Sequence, residues 1–162
     1  MKDPALIEMD EFLVMGVEIT TSLAAEANGQ TALLPRLWAT FFSEKIEEKI
    51  PLRKDGNEYV GVYSDYDMGP NSRTYGQYGA MAGCEVTEIE DVPEGLMAMP
   101  VPAGTYLLFE ARGPMPEALI QTWNDVWDYF EKNKEHQRAF TVDFDLYHKN
   151  RPEAVDVFVA IK

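Results

Sequence analysis

Three polar side chains alternate with apolar ones in the segment AFTVDFDLY, residues 139–147. Asp143, Asp145 and Tyr147 are separated by single apolar residues. Side chains two residues apart on a strand point to the same face, so two carboxyls and a phenol are predicted to share a face. An acid among aromatic rings pairs with a cation, because an ionised carboxylate otherwise costs several kcal/mol to bury. The spacing fits a solvated strand face as well as a ligand-facing one.

Aromatic residues on the predicted elements are candidates for the walls of such a site. Trp38 and Trp127 occupy matching places on two predicted helices, so both are expected to flank a junction between them. Tyr63 and Phe109 lie on predicted strands near the same junction. Aromatic faces attract cations by about 0.5–2 kcal/mol each, although each of these residues also fits ordinary core packing. Trp123 lies on the same helical stripe and is interpreted as core.

Other chemistries have little support in the sequence. His136 and His148 show no metal-ligand spacing with each other or with Cys84, so no metal site is predicted. Cys84 is interpreted as a small buried hydrophobe. Gly76 and Gly79 lie in a tyrosine-rich loop and not between a strand and a helix, so no phosphate-binding loop is predicted. No cofactor is expected.

Composition narrows the class of partner. The 162-residue chain has 28 acidic and 14 basic residues, a formal net charge of −14. Such a chain repels phosphate backbones and attracts cations, so we expect no nucleic-acid binding. The acidic N-terminal segment does not resemble a signal peptide, and no apolar run reaches membrane-spanning length. One cysteine forms no internal disulfide, so a cytoplasmic protein without membrane contact is expected, as a monomer or homodimer.

The hydrophobic pattern predicts seven strands and two helices. The strands are predicted at 11–19, 58–66, 80–90, 96–101, 104–111, 139–147 and 155–161. One helix is predicted over 33–46, with Pro35 in its first turn, and the other follows Pro116 to Phe130. Residues 67–79 are predicted to form a long loop.

The order of these elements indicates an internal duplication. A β-α-β-β unit, a linking strand at 96–101 and a second β-α-β-β unit follow one another, with pseudo-repeats at about 10–92 and 96–162. The predicted fold is a single α+β domain with one antiparallel sheet and both helices on one face. A ligand groove is expected at the pseudo-two-fold junction of the two units.

Three segments resemble the GyrI-like small-molecule-binding family, which includes the effector-binding domains of AraC-type and MerR-type multidrug regulators. They are EYVGVYSDYDMGPNSRTYGQYGAMAGCEV at 58–86, VPAGTYLLFEARGPMPEALIQTWNDVWDYF at 101–130, and AFTVDFDLYHKNRPEAVDVFVAIK at 139–162. The PAGTY turn, the WxxxW helix and the DFxxY strand occur in the family's order. With residues 10–50, the resemblance covers nearly the whole chain.

The resemblance implies a site for amphipathic, often cationic or aromatic compounds, with aromatic walls and a buried acid on the DFDLY strand. That acid is Asp145, where family members usually carry glutamate. The aspartate side chain is one methylene shorter, so its charge is expected to lie deeper or farther from a ligand. Asp143 is still interpreted as solvated. The predicted ligand-binding residues are Asp145 as charged anchor, with Tyr147, Trp38, Trp127, Tyr63 and Phe109 as walls.

Three functions follow as alternatives. The first is a standalone binder of amphipathic compounds that senses or sequesters drugs or toxins, since no DNA-binding module fits before residue 10. The second is a hydrolase of strained, cyclopropane-bearing electrophiles, a reaction that some standalone members of the family perform, with Asp145 or Glu110 as general base. The third is a protein that interacts with DNA gyrase, as the family name implies.

Overall fold

The computed structural model describes residues 3–56, 58–67 and 76–162. The strands are β1 (Ala5–Met9), β2 (Phe12–Ser22), β3 (Glu58–Asp67), β4 (Gln77–Val86), β5 (Met97–Val101), β6 (Gly104–Arg112), β7 (Asp143–His148) and β8 (Ala154–Ala160). The helices are α1 (Leu23–Glu26), α2 (Leu34–Ser43), α3 (Ile46–Lys49) and α4 (Glu117–Lys132).

All eight strands form one antiparallel sheet in the order β1-β6-β8-β7-β3-β4-β2-β5. Strand β5, at one end of that order, is followed after two residues by β6, which is second from the other end. The sheet must therefore curl until its ends approach. Residues from both ends meet in one cluster inside the curl, among them Val14, Val101, Tyr106 and Phe158. We call this side of the sheet the inner face.

The strand order shows the predicted duplication. In each unit the first of the three strands lies outermost, the third lies beside it and the second lies at the centre of the sheet. The order β6-β8-β7 of one unit is therefore the mirror image of the order β3-β4-β2 of the other. The central strands β7 and β3 pair antiparallel, which places the pseudo-two-fold axis between them. Strands β1 and β5 extend the symmetry, because each pairs with the first strand of the opposite unit. The segment predicted as a linking strand is thus an edge strand of the sheet.

Helices α2 and α4 both cover the outer side of the sheet, which we call the helix face. The core under α2 includes Leu37 and Phe41 with Ala80 and Ala82 of β4. The core under α4 includes Val126. The α+β fold with one antiparallel sheet and two helices on one face is confirmed. None of the helices in the described ranges is long and apolar enough to cross a membrane.

The bounds of several elements differ from the predictions. Helix α2 stops at Ser43, and Lys45 adopts a left-handed conformation before α3 begins. Pro35 lies in the first turn of α2 as predicted. Strand β4 spans 77–86 instead of 80–90. Strand β1 was not predicted. Of the predicted loop at 67–79, Asp67 lies in β3, Gly76 directly precedes β4, residues 77–79 lie in β4, and the remainder falls outside the described residues.

Candidate functional site in the seam between the two helices

One row of paired residues crosses the helix face from one half to the other. Phe109 pairs with Val157, Val157 with Asp145, Asp145 with Gly61, and Gly61 with Ala82. Phe109 and Val157 belong to the core under α4, whereas Ala82 belongs to the core under α2. Asp145 therefore lies at the junction of the two halves, between the two hydrophobic cores.

Gly61 leaves the space that the Asp145 side chain occupies. A Cβ at residue 61 would lie less than 3.0 Å from Oδ1 of Asp145, which real Cβ atoms essentially never do. The position is an ordinary extended strand position, so the glycine is required for space and not for an unusual backbone conformation. The pair places a carboxyl over the centre of the sheet, where a larger partner would displace it.

The Asp145 carboxyl has an incomplete set of hydrogen bonds in a solvent-excluded position. Its exposed fraction is 0%. The Tyr63 hydroxyl donates to Oδ2 at 2.8 Å. Oδ1 is buried and accepts no well-formed hydrogen bond from the described residues. A buried oxygen without a partner is costly for the free protein and is the natural contact for a donor or cation that arrives with a ligand.

Burial also controls protonation at this site. Burial raises the pKa of Asp145 to about 7, and the polar groups of Tyr63, Tyr147 and Trp123 together with the Gly61 backbone limit the rise. Burial, followed by the charge of Asp145, raises the pKa of Tyr63 and that of Tyr147 well above the usual value. The two phenols therefore stay protonated near neutral pH, and the Tyr63 hydroxyl donates to the Asp145 carboxyl.

Aromatic rings surround this carboxyl. Trp38 of α2 packs on Tyr147 with ring centroids 4.6 Å apart, and Trp123 of α4 packs edge-on against Tyr63 at 5.5 Å. Trp38, Trp123 and Tyr147 are each half-buried, so they form the outer wall. We call the set Asp145, Tyr63, Tyr147, Trp38 and Trp123 the anchor pocket.

A second acid-and-aromatic cluster lies beside the anchor pocket. Asp143 has an exposed fraction of 0%, so its interpretation as a solvated residue was wrong. The reason is that β7 lies at the centre of the sheet, and the Arg138 guanidinium donates to Asp143 Oδ2 at 2.6 Å. Tyr66 donates to the same oxygen at 2.5 Å, and the Ala160 N–H donates to Oδ1 at 2.8 Å. Asp143 is a compensated, internal ion-pair partner.

The Arg138 guanidinium is enclosed by three rings. Its central carbon lies 4.3 Å from the ring centroid of Phe140, 4.8 Å from that of Trp127 and 5.7 Å from that of Tyr66. We call the set Arg138, Asp143, Tyr66, Trp127 and Phe140 the arginine cage. Residues 139–142, predicted as strand, are instead irregular, and Phe140 has a left-handed backbone.

The structure brings most of the predicted wall residues together. Tyr147, Tyr63 and Trp38 lie with Asp145 in the anchor pocket, whereas Trp127 belongs to the arginine cage. Phe109 packs under α4, with its ring 5.6 Å from that of Tyr129 and outside the anchor pocket.

Trp123 was interpreted as core but contributes to the anchor pocket. The WxxxW motif could have predicted this role for Trp123. Residues four apart lie on the same face of a helix, so the rings of Trp123 and Trp127 must cover neighbouring parts of the sheet. Glu110 lies on the inner face, because it is adjacent in sequence to Phe109, whose side chain is on the helix face. Glu110 and Asp145 therefore do not share a site.

The Asp145 carboxyl is shielded from solvent in this conformation. Two cavities, of about 620 Å³ beside α3 and about 290 Å³ between β6 and α4, do not include Asp145. The larger is lined by charged residues of both signs, among them Arg53, Lys149 and Glu47, together with Cys84. Burial raises the pKa of the Cys84 thiol to about 11, in agreement with its interpretation as a buried hydrophobe.

The curled sheet of eight antiparallel strands matches the fold of an effector-binding protein family. The profile of the Cass2 family, described as integron-associated effector binding protein, matches residues 5–161, and the chain belongs to this family. The resemblance to GyrI-like effector-binding domains predicted from the sequence is confirmed.

Two proteins similar in sequence agree with this assignment, and a third shares the fold. The putative transcriptional regulator protein YobU of Bacillus subtilis is 28% identical over 153 residues, 91% of this chain and 90% of YobU. The integron cassette protein VCH_CASS2 from the mobile metagenome of Vibrio cholerae has 29% identity and a TM-score of 0.81, with 99% and 97% of the chains covered. SAV2435, solved with tetraphenylphosphonium bound, has 16% identity and a TM-score of 0.76, with 99% and 94% covered.

Proposed function

We propose that this protein binds amphipathic organic cations in the anchor pocket, with Asp145 as the charged anchor, and that it senses or sequesters such compounds. The observation that carries the proposal is the buried Asp145 carboxyl, which lies between aromatic rings of both helices and has one oxygen without a hydrogen-bond partner among the described residues. A cation at this position would supply the missing partner and stabilise the ionised form.

The aromatic wall suits the apolar part of such a ligand. The rings of Trp38, Trp123 and Tyr147 are half-buried and cover the carboxyl, so a ligand must displace them or insert between them. Apolar surface removed from water contributes roughly 25 cal/mol per Å², and cation–π contacts add about 0.5–2 kcal/mol. A compact inorganic cation lacks this apolar surface, which favours bulky organic cations.

The net charge of −14 supports the same class of ligand. A strongly acidic protein raises the local concentration of cations and speeds their association. The ligand bound to SAV2435, tetraphenylphosphonium, is a bulky aromatic cation, and it gives the natural first probe for this fold.

The test is a thermal-shift comparison of tetraphenylphosphonium with tetraphenylborate, which has nearly the same shape and the opposite charge. At 100 times its Kd, a ligand stabilises the fold by about 2.7 kcal/mol, which raises Tm clearly. We expect a raised Tm with the cation alone, and its loss in Asp145→Asn. The isosteric control is Glu94→Gln, which alters an exposed acid outside the pocket. Equal shifts with both ions, or an unchanged shift in Asp145→Asn, contradict the proposal.

The hydrolytic alternative is favoured by the burial of the Asp145 carboxyl between aromatic rings of α2 and α4. A buried carboxyl with a pKa of about 7 is suited to act as a general base near neutral pH. Of the two bases predicted, only Asp145 lies in the anchor pocket. Incubation with a cyclopropane-bearing electrophile should then give a hydrolysis product with wild-type protein and none with Asp145→Asn. A product yield equal to that without protein counts against this function.

A further inference from the structure

Arg138 has donors that its partners in the cage do not use. Its side chain is 3% exposed, and Nη2 is the atom that pairs with Asp143. Nε and Nη1 are buried and have no hydrogen-bond partner among the described residues. A charged donor left unpaired in a buried position is costly, and the three rings around the guanidinium offer no strong acceptor.

The arginine cage and the anchor pocket are adjacent. Asp143 and Asp145 are two residues apart on one strand face, so their backbones are about 6.6 Å apart. Trp127 and Trp123 are one turn apart on α4. Tyr78 joins the two sets, because its ring lies 6.0 Å from that of Tyr63 and 6.0 Å from that of Tyr66. A single amphipathic molecule is therefore long enough to contact both the anchor pocket and the arginine cage.

We infer that Arg138 is a second recognition point, whose free N–H groups donate to an acceptor oxygen of the ligand held at Asp145. The preferred ligand is then an aromatic cation that also carries a carbonyl-type oxygen about one benzene ring away from its charge. The Arg138–Asp143 pair is neutral as a unit and the protein is strongly acidic, so a neutral carbonyl suits this position better than an anion. The inference rests on the proposed function and specifies its ligand further.

The experiment uses two cations that differ in a single group. Para-benzoylbenzyl-trimethylammonium has a ketone between its two rings, and para-benzylbenzyl-trimethylammonium has a methylene there. A hydrogen bond from a charged donor is worth about 1.5–3 kcal/mol, so we expect the ketone to bind at least about tenfold more tightly to the wild-type protein. Calorimetric titration gives both Kd values.

The variant Arg138→Lys tests the assignment to this residue. Lysine keeps the positive charge beside Asp143, but all of its N–H groups lie on one nitrogen. It cannot pair with Asp143 and also donate from the separate positions of Nε and Nη1, so the ketone preference should fall to about onefold. Arg112→Lys is the matched control, because Arg112 pairs with Asp156 elsewhere on the sheet, and it should keep the preference. If Arg138→Lys does not fold, the double variant Arg138→Met and Asp143→Asn removes both charges together and should also abolish the preference.

Each result separates the inference from the proposed function. If the methylene compound binds through Asp145 and the wild type shows no ketone preference, the inference fails. Arg138 then has only a structural role, and water satisfies its remaining donors. A preference that persists in Arg138→Lys also overturns the inference. If neither cation binds folded protein, the proposed function fails and the inference fails with it.

Discussion

The Asp145 carboxyl has a pKa of about 7 in the folded protein because it is buried, whereas the same group in an unfolded chain titrates near 3.9. The folded state therefore holds this proton more tightly than the unfolded state. The contribution of the protonated Asp145 carboxyl to the free energy of unfolding is fully present below about pH 4. It is lost as the pH rises through about 7. At high pH, the cost of burying the ionised carboxylate lowers the free energy of unfolding by at most about 4 kcal/mol.

Replacing Asp145 with asparagine should therefore stabilise the free protein at high pH. We expect the free energy of unfolding of Asp145→Asn to exceed that of the wild type by about 2–4 kcal/mol near pH 8, and by less near pH 5. Urea unfolding at both pH values measures this difference. Glu94→Gln, at an exposed acid, should show no such pH-dependent gap. A constant difference between wild type and Asp145→Asn contradicts the burial account.

Binding of a permanent cation should depend on the same proton. A bound cation stabilises the ionised carboxylate, so affinity should rise as Asp145 loses its proton. With a pKa of about 7, the ionised fraction increases about tenfold from pH 6 to pH 8, and so should the association constant for tetraphenylphosphonium. Calorimetric titrations across this range should show a plateau above about pH 8. An affinity independent of pH would place the cation away from Asp145.

At the scale of elements, the pairing of β3 with β7 requires a glycine opposite the acid. We expect Gly61→Ala to lower the free energy of unfolding by about 1–3 kcal/mol and to weaken cation binding, because its Cβ displaces the Asp145 carboxyl. Gly56→Ala is the control, since a Cβ there would lie more than 4 Å from the atoms that the structure describes outside its chain neighbours. Urea unfolding and titration with tetraphenylphosphonium test both effects. Equal behaviour of the two variants contradicts this role.

The sequence predicted elements well where side-chain periodicity determines them. The DFDLY alternation correctly placed both acids on one face, and the helical stripe with Pro35 correctly located α2. Periodicity could not predict that Asp143 is buried. Its burial depends on the ion pair with Arg138, which lies near an irregular segment before β7. It also missed β1, whose role comes from pairing with β6, a strand far along the chain. Trp123 and Trp127 differ in role through the neighbours that tertiary packing gives each ring.

At the scale of the whole molecule, the net charge of −14 acts on every approaching cation. Added salt screens that field, with a Debye length of about 10 Å at 0.1 M. We expect the association rate of tetraphenylphosphonium to fall severalfold between about 0.05 and 0.5 M sodium chloride, as measured by stopped-flow tryptophan fluorescence. A residual association rate in Asp145→Asn should show the same salt dependence, because the field comes from the whole protein. Rates that do not change with salt contradict this role of the charge.

The most direct test of the central claim is the titration of Asp145 itself, followed by the carbon-13 chemical shift of its side-chain carboxyl. In the free protein we expect a pKa near 7, and in protein saturated with tetraphenylphosphonium a pKa lower by one unit or more, because the cation stabilises the carboxylate. Such a decrease would establish Asp145 as the anchor of an organic cation. A saturated complex in which the Asp145 pKa is unchanged would contradict the account and place the ligand elsewhere.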